Sequence, residues 1–241
     1  MGNCSFSLEH YKDLMHMVVD NNYQPVFFNE AALGGREIIF RHDIDIDLAG
    51  ALNFARIENE YNIKATYFIW LSSPFYNIFE PSNREAINSI LKMGHQIGLH
   101  FYEGDYDLEE QSDLTPYIRR ETGILELAFQ TKIHAVSFHI PSKSLLQGEY
   151  QFNREFINTY HEDFFKKCKY ISDSSMHWRE GCLCKLLERG TVERIQVLMH
   201  PLWWQYNSLS RDMIMGKYSE YKKQKFYKDL SIVAPFYNPQ G

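Results

Sequence analysis

Apolar and polar positions along this chain repeat with two periods, and the switch between them recurs. "REIIFRHDID" is an apolar run that passes into strict alternation, the period of two expected of a strand. "LAGALNFARIENEYN" follows, with apolar residues three and four apart, as on one face of a helix. The same succession returns as "IKATYFIW", then "NREAINSILKMG" closed by Gly94 as a C-cap, then "HQIGLH". "DLTPYIRRETGILELAF" reads as a helix, and "KIHAVSFHIP" as a strand stopped by Pro141. Residues 144–169 read as irregular or helical and rich in aromatics. "KYISDSS" is a short strand and "RIQVLMHPLWW" a longer one. A helix over 7–22 precedes this pattern, and a helix over 209–230 follows it. Strands alternating with helices predict a parallel α/β sheet, open or closed into a barrel. No linker, repeat or low-complexity stretch interrupts 1–241, so one domain is expected, with its core over 38–204.

The alternation in "HDIDID" poses a charge problem. Asp43, Asp45 and Asp47 would stand on one face and repel one another. Asp47 has a plain use as the N-cap of the following helix. For the other two, a pattern elsewhere in the chain offers partners. "QIGLH" ends in His100, "HAVSFH" in His139, "YISDSS" in Asp173 and Ser174, and "RIQVLMH" in His200. In parallel barrels the C-terminal strand ends converge on one face, where chemistry is done. Histidines would then surround the acids, with a metal ion between them. His95 starts the strand that His100 ends, roughly 16 Å away at ~3.3 Å per residue. His134 also sits at a strand start, and His42 is out of phase with the acids and faces the helices. These three read as structural.

Composition narrows the function. The net charge of −6 argues against nucleic acid as a partner. There is no apolar run long enough for a membrane span. The start lacks the charged and apolar regions of a secretory signal, which points to the cytoplasm. Cys4, Cys168, Cys182 and Cys184 show no framework spacing, and C-x-C is not the usual zinc or redox pair, so free thiols are expected. "MGNCSFS" approaches an acylation signal, but Phe6 stands where Ser or Thr is required.

The strand-end motifs resemble those of the polysaccharide deacetylase superfamily, the NodB-homology fold of the fourth carbohydrate-esterase family. The resemblance covers most of 38–204. The family's first motif ends in two acids, here "HDID". The second, commonly G-H-E-I-G-N-H, is here "GHQIGLH". The third, R-x-P, is "HIP". The fourth carries an Asp with a Trp shortly after, here "SDSSMHW" with Asp173 and Trp178. The fifth, L-x-H, is "LMH". The resemblance implies a distorted (β/α) barrel of about seven parallel strands holding a divalent metal, usually zinc. It implies hydrolysis of an N-acyl group, acetyl or formyl, from an amino sugar or glycan precursor. Asp43 would be the general base, Asp45 and His100 metal ligands, and His200 the acid that protonates the leaving amine. His139 and Asp173 complete the catalytic set. The chemistry is sound on its own terms. A metal polarises the carbonyl and acidifies water, a carboxylate takes the proton, and a second group delivers one to nitrogen.

Two departures from the family stand out. Its second histidine ligand falls at Gly104, which has no side chain to offer. Glu103 is the expected replacement, with Asp105 and His139 as alternatives. Its third-motif Arg, which pairs with the base, is His139, a weaker and pH-dependent partner. Tyr102, Trp203 and Trp204 would stack on sugar faces, although adjacent residues point to different sides, so one of the two Trp belongs to the core. "GEYQFNREFINTYHEDFF" is a lid or a packing helix, and the lysines of the last helix form a solvated face. An inactive carbohydrate-binding protein, or an amidohydrolase of non-sugar amides, are the competing functions. The sequence is compatible with an oligomer.

Overall fold

The structure is a computed structural model that describes residues 4–32, 34–109, 112–147 and 155–237. The start of the acylation-like stretch and residues 148–154 of the lid-like one lie outside them. The strands are β1 (Gln24–Pro25), β2 (Glu37–Ile44), β3 (Ala65–Ile69), β4 (Gln96–Phe101), β5 (Ala135–Phe138), β6 (Ile157–Asn158), β7 (Lys169–Ser172) and β8 (Arg194–Met199). Seven of them form one curled half-barrel in the order β6-β5-β4-β3-β2-β8-β7, with β1 beside β2. Every pairing is parallel. The strands β6 and β7 end the sheet and leave a seam between them.

The helices are α1 (Leu8–Asp20), α2 (Leu48–Glu60), α3 (Pro81–Lys92), α4 (Thr115–Phe129), α5 (Lys143–Gln147), α6 (Glu162–Phe165), α7 (Leu183–Arg189) and α8 (Arg211–Val233). Asp47 caps α2 as expected, accepting from the amides of Ala49 (3.1 Å) and Gly50 (3.0 Å). Gly94, with φ +85°, supplies the left-handed residue just past α3. The last strand is shorter than its apolar run. It stops at Met199, because Pro201 lacks an amide for the ladder and opens a 3-10 turn over Pro201–Trp204. At two residues each, β1 and β6 are too short to leave a periodic signal.

The central strand β2 is buried along its whole length, so both of its faces carry meaning. The outward face points His42 at α2, where Glu58 is buried. Glu58 accepts from His42 Nε2 (2.6 Å) and Tyr11 (2.6 Å), and also from Tyr67. His95 lies beside it and donates to the Ala55 carbonyl (3.1 Å). These partners let a carboxylate sit in the wall between sheet and helices. They also account for His42 and His95 without chemistry. His134 directly precedes β5, and its carbonyl accepts from the Ile157 amide.

Candidate metal centre and active site

The inward face of β2 presents Arg41, Asp43 and Asp45 in succession, because side chains two apart share a face. Arg41 is wholly buried and grips Asp43 with two bonds, Nε to Oδ1 at 2.9 Å and Nη2 to Oδ2 at 2.7 Å. The same Nη2 donates to the Tyr160 hydroxyl (3.1 Å), and the guanidinium lies 4.6 Å from the centre of that ring. Burial alone would raise the Asp43 pKa. The Arg41 charge and its hydrogen bonds, with the charges of His100 and His200, together outweigh it and hold the carboxyl below its usual range. Part of the charge problem is therefore solved within the strand.

Asp45 meets two histidines. Its Oδ1 lies 3.0 Å from His100 Nε2 and 3.1 Å from His139 Nδ1, and those nitrogens are 3.2 Å apart. The other nitrogen of His100 is 2.7 Å from Ser137 Oγ on the neighbouring strand. With the proton on that nitrogen, Nε2 turns a lone pair toward Asp45. Three lone-pair atoms then converge, which is the donor set of a cation site. Ligands at ~2.0–2.1 Å in a tetrahedron stand about 3.3 Å from one another, so the observed triangle fits a zinc-sized ion and leaves one position open. Burial alone would raise the Asp45 pKa. In the alternative protonation state, with no ion between them, the two imidazoles donate to Asp45, and those bonds together with the charges of His100 and His200 outweigh burial and hold its carboxyl far below the usual range.

The third corner corrects an expectation. Glu103 does not join the cluster of Asp45, His100 and His139. The 3-10 turn over Glu103–Asp105 carries its carboxylate to Ser142, where it accepts from the amide (2.6 Å) and the hydroxyl (3.1 Å). Asp105 is held by Ser72. At Gly104 even a Cβ would fall 2.5 Å from the Tyr102 ring, so a histidine cannot stand there without moving Tyr102. His139, expected in the place of the base's partner, fills the corner instead. Trp70 stacks on it with ring centres 4.2 Å apart, and Tyr102 meets it edge-on at 5.2 Å. Ile140 directly after it has φ +43°, a left-handed conformation that a β-branched residue resists.

On the other side, His200 and Asp173 form a dyad. His200 Nδ1 donates to Asp173 Oδ1 at 2.6 Å, and Nε2 faces Asp45 Oδ2 at 3.8 Å. Burial alone would lower the His200 pKa, but Asp173 outweighs it and raises it to about 9. Asp173 is wholly buried and also accepts from Trp204 Nε1 (2.9 Å). Trp204 is wholly buried as well, so it is no sugar platform: it packs in the core and fixes Asp173. Trp203 is partly buried, and its Nε1 has no partner among the described residues. It borders, with Asp43, Asp45 and His200, a cavity of about 10 Å³, space for about one water. The sequence reading missed Arg41, Ser137 and Trp70. For Arg41 the signal was present, since the alternation that pairs Asp43 with Asp45 reaches it too.

A larger cleft of about 440 Å³ opens beside this centre, along the seam between β6 and β7. Tyr160, Phe165, Tyr170 and Trp178 line it, and Pro141, Ser172 and Ser174 bring it next to His139 and Asp173. The aromatic surface thus comes from the seam rather than from Trp204.

The fold is thus a parallel half-barrel left open at one seam, with ionisable residues gathered at its strand ends. No family model matches the chain, and no curated protein matches it. Solved structures that are similar include a CE4-family pseudoenzyme from Bacillus anthracis, at 14% identity and TM-score 0.43, over 78% of this chain and 62% of that one. They also include the deacetylase PplD of Streptococcus pyogenes with acetate (13%, TM-score 0.41, 80% and 83%) and the peptidoglycan deacetylase PdaC of Bacillus subtilis (13%, TM-score 0.40, 85% and 100%). The chain spans between 62% and 66% of the length of the pseudoenzyme structures. No described helix is long and apolar enough to cross a membrane.

Proposed function

We propose that this chain is a cytoplasmic metal-dependent hydrolase that removes an N-acyl group, acetyl or formyl, from an amino sugar or glycan precursor. Asp45, His100 and His139 would hold the divalent ion, with zinc preferred by two imidazoles and a carboxylate. The observation that carries the reading is the meeting of three lone-pair atoms within 3.2 Å of one another, from the half-buried Asp45 and His139 and the buried His100.

Bound there, the ion supplies Lewis-acid polarisation of the amide carbonyl and acidifies a water molecule. Asp43, kept ionised by Arg41, borders the one-water cavity and would take the water's proton. His200, protonated at neutral pH, holds its acidic hydrogen on Nε2 toward the same cavity, because Asp173 occupies Nδ1. It passes that proton to the nitrogen as the C–N bond breaks, giving an amine and a carboxylate. The cleft along the seam has the volume and the rings to seat a sugar.

The test is to load the protein with zinc and screen N-acetyl and N-formyl hexosamines for released acetate or formate. Free, nucleotide-linked and short oligomeric forms should all be included. Release that is lost in Asp43→Asn and His200→Ala supports the reading, and no release from any of them rejects it. The small cavity at the centre favours a second reading, an inactive glycan-binding protein. That reading requires saturable glycan binding without turnover.

A further inference from the structure

A second group of metal-type ligands lies outside the reaction centre, where the segment before α1 meets the start of α7. Cys4, His10, Cys182 and Cys184 bring three sulfurs and one imidazole nitrogen within 4.8 Å of one another. Cys4 Sγ is 3.2 Å from Cys184 Sγ, and His10 Nε2 is 3.3 Å from Cys182 Sγ. The two pairs join positions 180 and 172 residues apart in sequence, so no local turn explains their meeting. Three of the four residues are buried, while Cys4 is exposed and leaves the group open to solvent. A sulfur pair at 3.2 Å is far longer than the ~2.05 Å of a disulfide bond.

We infer that Cys4, His10, Cys182 and Cys184 form a structural zinc site that ties the N-terminal segment to α7. The donor set argues for zinc. Zn–S bonds of ~2.3 Å put sulfurs about 3.8 Å apart in a tetrahedron, inside the spread found here. Thiolates favour zinc over magnesium, calcium or manganese. Four protein ligands complete a tetrahedron and leave no position for a substrate, the mark of a structural rather than a catalytic site. Binding releases the thiol protons to solvent, so the ion replaces weak S–H contacts by coordinate bonds. Its position also matters to the reaction centre: His10 lies against Trp204, with ring centres 6.1 Å apart, and Trp204 holds Asp173.

The C-x-C spacing hid this site in the sequence, because its other two ligands come from the far end of the chain. The experiment uses the full chain, purified under reducing conditions without chelator or metal-affinity resin. Cobalt exchanged into the protein should give a sulfur-to-cobalt charge-transfer band and the strong visible bands of a tetrahedral ion. An organomercurial, which displaces only thiolate-bound metal, should release zinc to a colorimetric indicator. Cys182→Ser with Cys184→Ser should abolish both signals and keep the metal that Asp45→Ala removes, and Asp45→Ala should keep both signals. If the double variant fails to fold, the cobalt spectrum of the unmodified chain decides alone. The inference is overturned if cobalt gives no charge-transfer band and all four thiols react freely with no release of metal. It is equally overturned if mass spectrometry shows Cys4 and Cys184 joined as a disulfide in protein made and kept under reducing conditions.

Discussion

Replacing Arg41 by Met removes the cation that holds Asp43 with two hydrogen bonds, and does so in a buried setting. Arg41 is 0% exposed and Asp43 is 3% exposed. Breaking a buried pair by deleting one partner costs about 3–5 kcal/mol, because the remaining charge stays buried. That is a large part of the ~5–15 kcal/mol that stabilises an ordinary domain. Removing both charges together, as Arg41→Met with Asp43→Asn, leaves no buried charge and should cost much less than Arg41→Met alone. The pH dependence gives a second check. In the native protein the Asp43 pKa is depressed, so its contribution is present above the unfolded carboxylate pKa and is lost as pH falls through the lower folded value. Without Arg41, only the charges of His100 and His200 still oppose burial, and the folded pKa rises. The deficit of the variant therefore shrinks as the medium is acidified. Urea unfolding of the unmodified chain, Arg41→Met, Asp43→Asn and the double variant at neutral and mildly acidic pH measures both effects. A loss under about 1 kcal/mol for Arg41→Met, or additive losses in the double variant, would falsify the ion pair as the setting of Asp43.

Further outcomes follow from the same geometry. His139→Ala should abolish binding of a divalent ion at the Asp45 centre while Glu103→Ala leaves it intact, read by equilibrium dialysis; the opposite result would restore Glu103 as the ligand. Ser137→Ala frees the His100 ring and should weaken that ion's binding by about 10–100-fold. Activity should fall as pH rises through the His200 pKa of about 9, since only the imidazolium can donate. Asp173→Asn should move that limb downward, and a limb that stays in place would remove His200 from the acid role. Ile140→Gly relieves a left-handed β-branched residue, and a gain of about 1 kcal/mol in thermal unfolding is expected from the strain alone.

The strands with long apolar runs were legible, since β2, β3, β4, β5, β7 and β8 each fall within a stretch marked by its own periodicity. The elements that escaped were two-residue strands, set by pairing partners rather than by pattern. In the site, residues at strand ends were readable because a strand's direction fixes where its end lies. Glu103 and Trp204 were misplaced because each lies past its strand end, in a 3-10 turn whose path is decided by local contacts. The cation beside Asp43 was sought in other strands, although it stands two residues upstream in the same one. His139 could not be assigned from sequence between a partner of the base and a metal ligand, because that depends on the side chain across the barrel.

The pairing of Arg41 with Asp43 inside one strand has a consequence for how the site assembles. In a pair two residues apart, almost no loop has to close, so the entropic cost of bringing the charges together is nearly nil. The carboxylate has its counter-charge as soon as β2 is extended, before β5 docks. Asp43 thus has its counter-charge without help from His139, which directly follows β5 and stands beside Asp45 and His100. Two strands thus divide the work: β2 supplies the cation for Asp43, and the residue after β5 stands against Asp45.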